Sequence, residues 1–131
     1  MKIALVVLLI LSLFPYAFAW IAGYYRRKEL GGIDNKNPRQ QYAQLSGPGA
    51  RAVAAQQNAW EALALYSAAL LAISLADPAA EHLATTAVLV LICRILHGIF
   101  YLADLDKLRS LSFAVGTLPC FYLFYLAISS S

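Results

Sequence analysis

A chain of 131 residues that is 61% hydrophobic and only 13% charged, with a mean hydropathy of +0.64, is too apolar for an ordinary water-soluble domain. Its formal charge is +3, and most of its Lys and Arg lie in residues 26–51, with the rest chiefly near Lys107 and Arg109. That distribution is a membrane-topology signal and argues against a nucleic-acid patch. The length predicts one domain over residues 1–131.

Residues 3–23 form the first apolar segment, long enough at about 1.5 Å per residue to cross a hydrocarbon core of about 30 Å. Met1-Lys2, the apolar run and Ala17-Phe18-Ala19 also have the look of a cleavable secretory signal. Tyr24-Tyr25-Arg26-Arg27-Lys28 follows as an interfacial aromatic and basic anchor, which favours a transmembrane helix. Residues 24–50 then turn polar and rich in breakers, with Gly31-Gly32, Asn37-Pro38 and Gly47-Pro48-Gly49. They predict a surface loop, and its basic residues put it on the cytoplasmic side.

Three further apolar segments follow, over residues 51–76, 82–103 and 108–128. The turn at 77–81 carries no Lys or Arg, as an outer turn should, whereas the turn holding Asp104, Asp106, Lys107 and Arg109 returns to the cytoplasm. The expected fold is therefore all-α: an integral membrane four-helix bundle with both termini on the non-cytoplasmic side. Lys2 is a mild exception to the charge rule, and Pro119 is expected to bend the fourth helix. Cys93 and Cys120 sit in apolar runs without metal or redox spacing and are expected to be small core residues.

Two polar stripes interrupt these segments. At about 100° per residue, Asn58 lies roughly 20° and Glu61 roughly 80° round from Arg51, so the three share a face. Arg94, His97, Tyr101 and Asp104 likewise fall within roughly 80° of one another on the third helix. Glu61 stands about 15 Å from the cytoplasmic start of its helix and Arg94 about 14 Å from the end of its own, which predicts a Glu61–Arg94 pair. Such a pair serves equally as a structural lock on helix register or as part of a site. Tyr101 and Arg109 likewise suit either an interfacial anchor or a cavity. His97 has no partner at metal spacing, His82 being near the opposite face, so no metal site is expected. Together Arg51, Asn58, Glu61, Arg94, His97, Tyr101 and Arg109 are expected to ring one cavity in the cytoplasmic half, where an anionic cytosolic ligand meets an apolar one from the bilayer.

In these residues the chain resembles the MAPEG family, the membrane-associated proteins of eicosanoid and glutathione metabolism. The resemblance covers most of the chain. It rests on Asn58-x-x-Glu61 with Arg51 seven residues before the asparagine, on Arg94 with Tyr101 seven later, and on Leu108-Arg109. Asn37-Pro38-Arg39, His97-Gly98 and Tyr101-Leu102-Ala103 are similar to bacterial members. The resemblance implies a homotrimer that binds glutathione between subunits near the cytoplasmic face. Asn58, Glu61, Arg94 and Tyr101 would hold the tripeptide and Arg109 would stabilise its thiolate. Catalytic relatives carry an arginine where this chain has Ala54, often a tyrosine where it has Ala62, and some a second tyrosine where it has His97. Arg51 or His97 is the expected substitute for the lost contacts. The resulting expectation is an inner-membrane glutathione-dependent transferase or peroxidase acting on lipophilic electrophiles. The alternative is a non-catalytic lipid-binding protein or an accessory subunit of a larger membrane complex.

Overall fold

The computed structural model describes residues 1–130, so Ser131, the last residue of the expected domain, lies outside the described residues. Five helices follow in order: α1 (Lys2–Leu30), α2 (Pro38–Tyr42), α3 (Gly47–Ala76), α4 (Leu83–Leu102) and α5 (Asp106–Ser130). The four long ones are each apolar and long enough to cross a membrane, and the chain is an integral multi-pass membrane protein. Outward faces are as apolar as the interior: Trp20 and Leu75 are each 79% exposed and Ile128 76%.

α1 runs unbroken through Ala17-Phe18-Ala19 and past the expected end at residue 23. Its aromatic and basic tail stays helical, Arg27 and Lys28 sit in the last turn where the helix dipole favours cations, and Gly31 closes the helix in the left-handed region at φ 77°. Gly47-Pro48-Gly49, expected to lie in the loop, instead opens α3 four residues early. A proline is tolerated in a first turn, where its missing N–H has no intrahelical partner. The backbone N–H and hydroxyl of Ser46, the N-cap, both donate to Glu29 Oε2 at 3.1 and 3.2 Å, tying the top of α3 to the last turn of α1. A Cβ on Gly49 would come within 3.0 Å of Tyr25 Cβ, so the close approach needs glycine.

The segment joining α1 to α3 is folded about a buried arginine. Arg26 donates to Gln41 Oε1 and, at 2.8 Å, to the Asp34 carbonyl, while its guanidinium lies 4.9 Å from the Tyr42 ring centroid. Gln41 completes the clamp by donating to the Gly32 carbonyl and accepting from the Asp34 N–H. Arg26, counted from sequence as a basic loop residue, is thus a buried structural group.

α1 packs along α3, and α4 along α5, while α3–α5 and α1–α4 contacts close the bundle. The core runs from Val7 and Leu11 across Tyr66 and Ile73 to Val90 and Leu123. Tyr66 is fully buried, and its hydroxyl donates to the Ala4 carbonyl at 3.0 Å, pinning α3 to the start of α1. In a segment out of reach of water, a hydroxyl without that partner would be costly. Two glycines bring the polar half of α4 close to its neighbours. A Cβ at Gly98 would lie 2.6 Å from Phe18 Cζ, and one at Gly116 2.7 Å from Cys93 Cβ. Pro119 is buried within α5.

Candidate functional site

The polar end of α4 faces α3 and the first turns of α5, and the three enclose a cleft of about 240 Å³. Asn58 from α3, His97 and Tyr101 from α4, and Arg109, Ser110 and Phe113 from α5 line it. The Arg109 guanidinium lies over the Tyr101 ring, 4.5 Å from its centroid, and the His97 ring meets Tyr101 edge-on at 5.5 Å. His97 Nδ1 stands 3.0 Å from the Arg109 carbonyl oxygen, and the Ser112 hydroxyl donates to the same oxygen at 2.9 Å. Asn58 Nδ2 donates to the Ala54 carbonyl one turn earlier at 2.9 Å. The cleft therefore presents a cation held by stacking, a phenol, an amide and an imidazole, a set suited to an anionic ligand with hydrogen-bonding groups.

Arg94 lies one layer deeper. It is 4% exposed, donates from Nη2 to Thr117 Oγ1 at 3.0 Å, and stacks over the Phe113 ring at 4.9 Å. Beyond it, toward the outer surface, Phe14, Phe18, Ile95, Ile99 and Leu102 line an apolar groove of about 300 Å³ between α1 and α4. Polar cleft and apolar groove thus flank the same turn of α4.

Four of the seven expected site residues share the cleft: Asn58, His97, Tyr101 and Arg109. Arg94 adjoins Asn58 and His97 in a second, smaller cavity. Glu61 and Arg51 do not join them. The expected Glu61–Arg94 pair is absent: Glu61 is exposed on the outer face of α3, while the residues of α3 that line a cavity with Arg94 are Ala55, Asn58, Ala59, Ala62 and Leu63. Their depths match, but Glu61 stands one residue, about 100°, round from the face that meets α4. Arg51 is taken by Asp104 instead, with Nη1 3.2 Å from Oδ2, the one salt bridge among the described residues. Asp104 sits in the turn between α4 and α5 at φ 61°, a left-handed conformation that aspartate tolerates better than most residues. Thr117, Ser110 and Phe113 escaped the sequence reading. Their 3- and 4-residue spacing on α5 was the available signal, obscured by the apolar residues around them.

A bundle of four long apolar helices, with a basic and aromatic cleft at one end and an apolar groove beside it, defines an integral membrane protein built to present polar groups next to a lipid-facing surface. The chain belongs to the MAPEG family, which it matches over residues 3–129, nearly its whole length. Membership brings its function within the range of that family: membrane glutathione-related transferase or peroxidase activity, or a related role. No curated protein and no solved structure matches the chain.

Proposed function

We propose that the protein is a glutathione-dependent transferase or peroxidase of the bacterial inner membrane, acting on lipophilic electrophiles. The observation that carries this reading is the Arg109 guanidinium, held over Tyr101 at the rim of a cleft that Asn58 and His97 complete. Glutathione is the co-substrate. Its carboxylates and amides suit the cleft's donors, and a guanidinium beside its thiol favours the thiolate, which is the nucleophile. The thiolate attacks the electrophilic carbon of an apolar substrate and the leaving group departs with the bonding pair. With a hydroperoxide, the thiolate attacks the peroxide oxygen, the O–O bond breaks and the alkoxide leaves to be protonated, and a second glutathione thiolate displaces hydroxide from the resulting sulfenic acid to give the disulfide.

The same reading includes a homotrimer. Glu61, Ala64, Ala68, Leu71 and Leu75 form an exposed stripe along α3 at alternating spacings of three and four. A carboxylate facing lipid there is costly, and small residues let helices approach closely, so further copies of this chain suit the stripe. The basic loop lies in the cytoplasm and both termini outside. Calorimetry of glutathione binding to wild-type and Arg109→Ala protein tests the proposal: binding that is weakened by the substitution is expected, and no binding to wild type overturns it.

A second reading, a lipid-binding protein or an accessory subunit of a membrane complex, is favoured by one specific observation. The basic groups are partly committed elsewhere, Arg51 to Asp104 and Arg94 to Thr117, and Ala54 and Ala62 supply no substitute.

A further inference from the structure

Behind the cleft, Arg94 and His97 line a cavity of about 10 Å³ between α1, α3 and α4, walled otherwise by Asn58 and apolar side chains such as Leu11, Phe14 and Leu63. Arg94 is 4% exposed and His97 7%. The Arg109 carbonyl next to His97 Nδ1 can only accept, so Nδ1 carries the proton, and in the neutral form of the ring Nε2 is then an acceptor. That Nε2 is buried and has no donor among the described residues. Arg94 has the opposite need: Nε and Nη1 are buried donors without an acceptor among the same residues. Buried polar atoms are nearly always satisfied, the more so at membrane depth.

We propose that Arg94 and His97 share one buried water molecule, and that through it His97 acts as a positioning residue for Arg109. The cavity is about the volume of one water-sized sphere, the least that holds a water, and its lining includes the polar partners a buried water requires. Chemistry selects among small guests. A water accepts from Arg94 and donates to His97 Nε2. An anion can only accept and would face the His97 lone pair, and a cation would face the guanidinium. The result is a continuous chain of contacts from Thr117 through Arg94, the water and His97 to the Arg109 carbonyl, joining two points on α5 by way of α4. It fixes the tautomer and tilt of the ring that abuts Tyr101, and Tyr101 carries the Arg109 guanidinium. None of this depends on what ligand the cleft takes.

The chain has only two histidines, so His82→Ala, a change at an exposed residue, leaves His97 as the sole imidazole. Solid-state NMR of that protein with labelled histidine, in lipid bilayers, is expected to show a protonated Nδ1, a bare hydrogen-bonded Nε2, and magnetisation transfer from water protons to Nε2. A protonated Nε2, or no transfer from water, overturns the proposal. So does an anomalous bromide peak in the cavity of crystals soaked in bromide. The positioning role has its own readout, the ring-current shift that Tyr101 imposes on the Arg109 Nε–H. His97→Gln, which keeps one donor and one acceptor, should retain that shift, and His97→Leu should lose at least half of it. Retention of the full shift in His97→Leu overturns the positioning role, and the NMR of the His82→Ala protein decides the water whether or not that variant folds.

Discussion

The Arg109 guanidinium lies over the Tyr101 ring, 4.5 Å from its centroid, at the mouth of the cleft. A planar guanidinium keeps this stacking while its fork of donors stays directed at a ligand, whereas a lysine ammonium is a flexible point charge. Arg109→Lys is expected to express and assemble normally yet to lower glutathione conjugation of a hydrophobic aryl halide by at least about tenfold, roughly 1.4 kcal/mol of transition-state stabilisation. The thiolate absorbance of bound glutathione should fall with it. Equal rates in the two proteins would reduce Arg109 to a membrane anchor.

Arg94 yields a paired expectation. Thr117→Val removes the one side-chain acceptor that the buried guanidinium uses, and a hydrogen bond to a charged group is worth about 1.5–3 kcal/mol. A clear loss of thermal stability in detergent should follow. Arg94→Met, which removes the charge and its desolvation cost together, should be close to neutral or stabilising. If Arg94→Met proved the more damaging of the two, the guanidinium would be a net stabiliser of the bundle.

The apolar spans were legible because length and hydropathy alone identify a segment able to cross a bilayer. Their ends were less so. Tyr24 to Lys28 has the composition of an interfacial loop but continues α1, and Gly47-Pro48-Gly49 has the look of a breaker but starts α3. In the site, depth was readable from the rise per residue, and Asn58, His97, Tyr101 and Arg109, grouped on that basis, line one cleft. Azimuth was not readable for α3, because a helix apolar on all sides carries no contrast to say which face turns inward. That is how Glu61 came to be assigned to Arg94, and how the pairing of Asp104 with Arg51 was missed.

The exposed stripe on α3 makes assembly testable. Ala68→Trp sets a bulky ring where a close helix contact is proposed, on an exposed face of α3. Native mass spectrometry in mild detergent should find wild type as a trimer and the variant mostly as monomer. A monomeric wild type would remove the homotrimer from the proposal.

Topology has a direct assay. Alkaline phosphatase fused after the last residue should be active and a cytoplasmic fluorescent reporter at the same point dark, with the reverse pattern for fusions within residues 31–37. An opposite result would invert the orientation of the cleft.

Outside the membrane, Asp34 gives a pH dependence. The Asn37 and Lys36 backbone N–H groups and the Asn37 amide donate to its carboxylate and hold its pKa below the ordinary value of 3.8. Because the folded value lies below the unfolded one, the turn is favoured fully above about pH 4 and loses that support as pH falls through the depressed folded value. Amide resonances of Lys36 and Asn37 should titrate together in that acid range, and in Asp34→Asn they should stay flat.

The left-handed backbone of Asp104 has a consequence for how this protein can drift. Only glycine, asparagine and aspartate occupy that conformation readily, so the turn between α4 and α5 filters substitutions before charge is considered. Of the three, aspartate alone supplies a carboxylate to Arg51. A single-nucleotide change from aspartate to asparagine or glycine would leave the turn intact while releasing the arginine at the end of the bundle that holds the cleft. Mutational paths that alter the charge there without disturbing the fold are therefore short, whereas paths to bulkier residues meet backbone strain first.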